Sequence, residues 1–355
     1  MKLLLKRILP QSYKTLILKT IELPDLVFML FFKKNRFLAS IYYLFLSRQF
    51  RREHQAVLAG RAAYQKSLKD VGATSVLLRR NIHRLEKGLI MQPRRNVFAE
   101  NFIGETVKVY QRAIVQDTLI PDEEKWVTDV LNEYFSVVKD TKIIANARMK
   151  FNLSVRERNT TKDKKFIPYS FDTLPKSSIE YDDLYKLFSR RRSIRWYKDK
   201  EVPIELIEKA VDLATLAPSA CNRQPYSFYV SINKSDAVKV AKCAGGTPGW
   251  AENIPCTIVI VGDLSAYSKE RDRHLIYIDS SLAAMQLMLA LETLGLSSCS
   301  INWPEVEGPE EKMKKLLNLK PYERPIMLLS VGYGKDKGGV PFSQKKSSKV
   351  LIKKI

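Results

Sequence analysis

Apolar residues recur at helical spacing through the middle of the chain: Val76, Leu77, Ile82, Leu85 and Leu89, then Phe102, Ile103, Val107 and Tyr110, then Trp126, Val130, Leu131, Tyr134 and Phe135. Recurrence every three to four positions predicts amphipathic helices, and Pro121 followed by Asp122 and Glu123 marks a helix start. Residues 62–155 therefore read as a helical bundle. A polar run, RERNTTKDKK at 156–165, opens a linker placed at 156–177. Beyond it the texture changes. Short β-like runs at 227–232, 257–261, 297–301 and 326–331 alternate with helical runs at 182–190, 203–216, 271–294 and 309–317. The expectation is an α+β fold over 178–355, a mostly antiparallel sheet flanked by helices, preceded by an all-helical N-terminal region.

The first 61 residues have a different pattern. Apolar runs at 1–10, 26–32 and 37–46 are broken by Lys33, Lys34 and Arg36, and Arg48, Arg51 and Arg52 follow. None of the runs approaches the roughly 20 residues that span a bilayer, so no transmembrane helix is expected. Pro24 and Asp25 interrupt the second run and no small-residue cleavage site follows, which fits a secretory signal poorly. Two readings stay open. Basic amphipathic helices lie on anionic membrane surfaces, each Lys or Arg contributing about 1 kcal/mol there. Equally, such helices dock on the rest of a protein and leave their basic face in water.

Composition narrows the class. Of 355 residues 45% are hydrophobic, too many for a disordered chain, and the four cysteines have neither the density of a secreted disulfide scaffold nor metal-ligand spacing. Reduced thiols in a cytoplasmic protein are expected, at most peripheral to the inner face of a membrane. The formal net charge of +22 calls for an anion. Much of it is concentrated, since residues 1–66 carry 13 Lys or Arg against three Asp or Glu. No helix-turn-helix, zinc-finger spacing or RNA-binding aromatic signature accompanies the charge, so nucleic acid is not expected. His83 lies in NIHRLEKG at 81–88 without a second ligand at metal spacing; this run reads as a solvated helix face ending near Gly88.

Chemistry gathers in three clusters of the C-terminal half. RRRSIR at 190–195 sets four guanidinium groups within six residues, which repel one another unless an anion neutralises them, and arginine forks match phosphate oxygens. APSACNRQPY at 217–226 offers hydroxyl, amide and backbone donors on a loop between two prolines, and SVGYG at 330–334 precedes a basic tail. In this order, with LGL at 294–296 between them, the clusters resemble the nitroreductase family of FMN-dependent oxidoreductases over residues 178–350.

That resemblance implies an FMN-dependent oxidoreductase working by ping-pong transfer from NAD(P)H to an organic acceptor. It implies that Arg191, Arg192, Ser193 and Arg195 grip the FMN phosphate and ring edge, with Lys345 where relatives place an arginine. Pro218, Ser219 and Asn222 correspond to a loop that reaches the flavin from a partner subunit, so a homodimer is implied. The run 297–303 leads toward the flavin N5 and adds Ser300 and Asn302 to the cofactor-binding residues. No metal and no catalytic dyad is implied; His274 and Cys221 read as packing residues. The apolar helix near 271–294, with small residues Ser280, Ser281, Ala283 and Ala284, is the implied subunit contact. No long lid and no dehalogenase-type clamp lies between the second cluster and this helix. The alternative is a non-catalytic flavin-fold scaffold held at a membrane surface by residues 1–60.

Overall fold

A computed structural model of the chain describes residues 28–47, 49–155 and 164–355. The apolar run at 1–10 and most of the polar run at 156–165 lie outside these residues. The chain divides into two compact units, Met1–Gln55 and Ala56–Ile355. In the first, α1 (Arg36–Ile41) is capped by Asn35, whose side chain accepts from the Leu38 amide at 2.9 Å, and it continues as a π-helical turn over Tyr42–Leu46. Neither element contains a buried residue. Helix α2 (Arg51–Ser67) carries the chain into the second unit.

There α3 (Val76–Leu89), α4 (Glu100–Gln116), α5 (Pro121–Val137) and α6 (Lys142–Asn152) enclose a core of their own. The apolar stripes read from the sequence supply it: Ile82 and Leu85 of α3 meet Ile103 and Val107 of α4, Val130 and Leu131 of α5, and Phe151 of α6. Ser75 caps α3 and Thr141 caps α6, each side chain accepting from an amide three residues on, while Pro121 opens α5. Polar groups inside are paired. The Asn81 amide donates to Thr106 Oγ1 at 3.0 Å, and Glu123 receives Thr74 Oγ1 at 2.8 Å, the Ser75 amide at 2.9 Å and the Arg79 guanidinium at 2.8 Å.

After α7 (Tyr181–Arg190) and α8 (Ile204–Ala214) comes an antiparallel sheet in the order β1-β2-β4-β3. Its strands are β1 (Tyr226–Ser231), β2 (Cys256–Asp263), β3 (Ser297–Asn302) and β4 (Glu323–Gly332). Both faces are covered. Ile258 and Ile260 of β2 pack with Ala210 of α8 and with Ala284, Leu287 and Leu291 of α10 (Leu275–Thr293). The alternate residues Val259 and Val261 face Ala241 of α9 (Lys234–Ala241) and Met313 of α11 (Glu307–Leu317). Helix α10 lies in a stretch, Glu270–Thr293, long and apolar enough to cross a membrane, but half of its apolar window is buried within the protein.

Two local departures from the sequence pattern have physical causes. Helix α9 carries no long apolar stripe because its buried positions are Ala237, Val238, Val240 and Ala241; the Asn233 side chain starts it by accepting from Ser235 and Asp236. Strand β4 begins before Pro325 rather than after it, and it accommodates the proline at a bulge of its own: Ile260 and Val261 of β2 pair with Met327 and Pro325, leaving Ile326 as the extra residue.

Helix α2 packs on the end of the sheet, where Ala56 and Val57 join Leu264, Tyr267, Ile276 and Ile326. The approach is closest at Gly60, where a β-carbon would fall 2.7 Å from Leu264 Cβ and 2.8 Å from its backbone. Gly60→Ala should therefore cost about 1–3 kcal/mol through overpacking. The check is a lower urea midpoint with helical circular dichroism retained; an unchanged midpoint would show that α2 is not held there.

Candidate functional site

Two of the three sequence clusters meet at one end of the sheet. Leaving α7, the chain runs beside β3, with Ser193 bridging Ser298 and the Ile194 amide donating to the Ser298 carbonyl at 3.1 Å. A few residues on it is tied to the end of β4. The Lys198 amide donates to the Tyr333 carbonyl at 2.7 Å, and the Lys335 amide donates to the Trp196 carbonyl at 2.9 Å. Tyr197 pins this arrangement. Its hydroxyl lies 2.6 Å from the Ile194 carbonyl and 2.7 Å from Ser330 Oγ, and burial pushes the phenol well above its ordinary range. Gly332 is required beside it, because a β-carbon there would stand 2.6 Å from Pro255 and 2.8 Å from the Tyr197 ring. Asn253 holds the Arg195 carbonyl and the Tyr197 amide with its side chain.

The guanidinium groups on this frame are poorly matched by protein acids. Arg190 reaches Glu292 of α10 at 3.4 Å, and burial lifts that carboxyl above its ordinary range against the pull of Arg190 and Arg191. Among the described residues Arg191, Arg192 and Arg195 have no ion pair, and Arg191 Nε is buried without a hydrogen-bond partner. Arg195 stands over the Trp250 ring at 5.9 Å. Beneath it the Cys299 thiol is raised by burial, with Arg195 pulling the other way.

The second cluster forms a tight loop between α8 and β1. Cys221, Asn222 and Gln224 all take left-handed backbone angles, with φ of 55°, 52° and 49°. Such a conformation costs non-glycine residues about 1–2 kcal/mol each, so the loop needs outside support. It has three braces. The Ala220 amide donates to Asp279 of α10 at 2.9 Å, the Gln224 amide donates to Ser219 Oγ at 3.1 Å, and Arg79 of α3 donates to the Asn222 carbonyl at 2.9 Å. Burial raises the Asp279 carboxyl, and the Ala220 amide pulls it back.

Register separates this loop from the first cluster. Tyr226 pairs with Gly262, and Gly262 pairs with Arg324 near the start of β4, whereas Ser297 pairs with Gly332 at its end. The length of β4 between them is roughly 25 Å. Helix α10 repeats the separation, with Asp279 at the loop and Glu292 at Arg190, roughly 20 Å apart along the axis. Of the remaining predicted residues, Ser300 and Asn302 are exposed on edge strand β3, which the first cluster bridges at Ser298; Asn302 pairs with Met327, farther along β4. Lys345 is exposed in the C-terminal tail, where its carbonyl accepts from Gln344, and it makes no hydrogen bond or ion pair with either cluster among the described residues.

The profile of the Nitroreductase family matches residues 188–244 and 232–333. A protein from Archaeoglobus fulgidus bearing the name NADH dehydrogenase/NAD(P)H nitroreductase is 34% identical over 160 residues, 44% of this chain and 87% of its own. The chain belongs to the nitroreductase family. Human iodotyrosine deiodinase 1 is 26% identical over 210 residues, 51% of this chain and 72% of its own. A solved structure described as an NADH oxidase from Clostridium acetobutylicum is 27% identical, covers 48% of this chain and 99% of its own, and superposes with a TM-score of 0.42. Both ends of the site lie within the nitroreductase match or at its border, and the chain is an oxidoreductase of that family. The helical residues 62–155 stand outside the match.

Motif reading missed Asp279, Glu292 and Arg79. The first two carried a signal, being the only charged side chains of an otherwise apolar helix, and both are buried. Arg79 carried none, because a charged position on an amphipathic helix is ordinary. The Tyr197 frame is testable. Tyr197→Phe removes a hydroxyl shared with Ile194 and Ser330, and it should cost about 1–3 kcal/mol in urea unfolding. A variant as stable as the parent would place the frame elsewhere.

Proposed function

We propose that this nitroreductase-family chain is an FMN-dependent reductase whose active site is completed by a second copy. The observation that carries this reading is the separation of the two clusters to opposite ends of the sheet within one chain. Neither alone offers both a phosphate grip and a donor loop. The surfaces left open support a second copy. Helix α7 has no buried residue although Leu184, Tyr185 and Phe188 share its apolar side, and α10 exposes Ile278, Leu282 and Met285 along one face. Two copies paired antiparallel along these helices would set the 217–226 loop of one against the arginines of the other.

The residues fit FMN. Arg191 with its buried, unpartnered Nε, together with Arg192 and Arg195 without carboxylate partners, makes a cationic grip suited to a phosphate dianion. Ser193, Ser300 and Asn302 would add polar donors on the side of β3, and Pro218, Ser219 and Asn222 would come from the other copy. Lys345 lies on a tail that would have to fold toward the grip to add its charge. When bound, FMN supplies the redox chemistry, taking two electrons from NAD(P)H and passing them to an organic acceptor in alternate visits. The protein's part is to hold the phosphate, to orient the ring against the loop, and to place cationic charge where reduced flavin gains negative charge. Asp279 and Glu292 position the two halves from one rigid helix.

Complementation tests the shared site. Arg191→Ala with Arg195→Ala in one chain, and Ser219→Ala with Asn222→Ala in another, should each abolish retention of FMN in homodimers. Mixed dimers should regain one flavin for every two chains, read by visible absorbance, because one of their two sites is intact. Failure of mixing to restore any flavin would overturn the shared site. A parent protein that stays colourless after addition of FMN would favour the non-catalytic scaffold instead.

The exposed apolar residues of the first unit support a membrane-peripheral position. Phe28, Leu30, Phe31, Phe37, Leu44 and Phe45 are all exposed, interleaved with Lys33, Lys34 and Arg36. Removing residues 1–50 should reduce co-sedimentation with phosphatidylserine vesicles and leave flavin binding in place; equal sedimentation of both proteins would remove the membrane from the account.

A further inference from the structure

The helical bundle outside the nitroreductase match is not a remote appendage, because α3 packs directly on the 220–222 turn. Its arginines divide into two kinds. Arg79 is fully engaged, held by Glu123 at 2.8 Å while it supports the Asn222 carbonyl. Arg80 and Arg84, one helical turn apart on the same side, share a single neutral acceptor. Each stands 3.5 Å from Oδ1 of Asn81, a buried side chain whose amide is committed to Thr106. Neither has an ion pair among the described residues. Arg84 is held over the Phe102 ring at 3.7 Å, so its guanidinium plane is fixed rather than free to escape into water.

A third arginine comes from the loop itself. Arg223 lies over the Tyr267 ring at 4.9 Å and has its Nε buried without a hydrogen-bond partner. The three share an environment. Arg223 directly follows Asn222, whose carbonyl is held by Arg79, the neighbour of Arg80 on α3, and Arg80 and Arg223 both act on the Tyr64 hydroxyl of α2. Burial lowers Arg84 below its ordinary range and Arg80 lowers it further, the signature of two half-buried cations facing one another. Glu105 of α4 reaches this group only through its field, beyond ion-pair distance.

We propose that Arg80, Arg84 and Arg223 form a binding site for an anionic group, a carboxylate or phosphate, carried by the acceptor. Half-buried guanidinium groups with fixed planes and no acid between them attract a bidentate oxyanion strongly. The site adjoins the loop that borders the flavin, so an acceptor anchored here by its acid would present its other end to the ring; this positioning rests on the proposed FMN site. On this account the helical bundle serves as the acceptor-recognition element, and the large positive charge of the chain includes a share directed at substrate.

The experiment uses the full-length protein and a matched pair of probes, para-nitrobenzoate and para-nitrobenzamide, which differ in charge and scarcely in shape. Calorimetry on the parent should show the acid bound about tenfold or more tightly than the amide, as expected for a charge-assisted pair. R80Q/R84Q should erase the difference with flavin content unchanged, and R80K/R84K, which keeps both charges, should retain a preference for the acid. Equal binding of acid and amide by the parent overturns the proposal, as does a preference that survives in R80Q/R84Q or is lost equally in the lysine variant. Loss of flavin from R80Q/R84Q would also overturn it, assigning these arginines to the cofactor. A parent that binds no flavin defeats the FMN reading alone, because the calorimetric comparison is still read.

Discussion

Burying two carboxylates on one apolar helix is the constraint on which the site depends. Helix α10 is apolar enough to serve as the core of one face of the sheet, yet it carries Asp279 and Glu292 into that core. A buried acid is costly unless donors meet it. Asp279 is met by the Ala220 amide, and Glu292 faces Arg190 with Oε2 at 3.4 Å while its Oε1 is buried without a partner. Each acid thus forces a particular piece of chain to lie against α10, and those pieces are the donor loop and the arginine cluster. Because a helix is rigid over this length, the spacing of the two halves is set by sequence position rather than by loop conformation.

The same constraint keeps the two clusters apart within one chain, which is the ground for the proposed second copy. Strand register puts the loop at the start of β4 and the arginines at its end, and no rearrangement of side chains closes a gap of strand length. Apolar residues on α7 and on the open face of α10 would be an unusual expense for an isolated chain, since amphipathic helices ordinarily bury such a stripe. The geometry and the exposed surface therefore argue for the same thing from independent observations.

Much of the fold was legible where periodicity was strong. The stripes of α3, α4 and α5 and the short apolar run of β2 are direct readings of burial, and the resemblance carried by RRSIR and APSACN named the two clusters from which the proposed site is built. What escaped had weak local signals. Helix α9 buries mainly small residues, so its stripe is faint, and the start of β4 was hidden behind Pro325, which sits beside a bulge at Ile326 of the same strand. NIHRLEKG at 81–88 looked like a solvated face, whereas Asn81 is buried, Glu86 accepts from the Trp126 indole at 2.8 Å, and Arg84 is stacked on Phe102. Tertiary partners from distant sequence decide such positions, and no window around them contains that information.

The helical bundle has an energetic reason to sit where it does. Three left-handed non-glycine residues within four positions would, at about 1–2 kcal/mol each, favour a relaxed loop if the loop were left alone. Asp279 and Ser219 restrain the loop at Ala220 and Gln224, but the carbonyl of Asn222, in the middle of the strained segment, is held from outside by Arg79. Arg79 is effective because it is not free to move: Glu123 fixes it, and Glu123 is fixed in turn by the Thr74 hydroxyl and the Ser75 amide at the start of α3. The restraint thus runs from the bundle core, through a buried ion pair, to the backbone of the donor loop. A helical extension that merely tethered the oxidoreductase would need no such chain of contacts. One that shapes the loop, and sets two unpaired arginines beside it, alters what the site accepts.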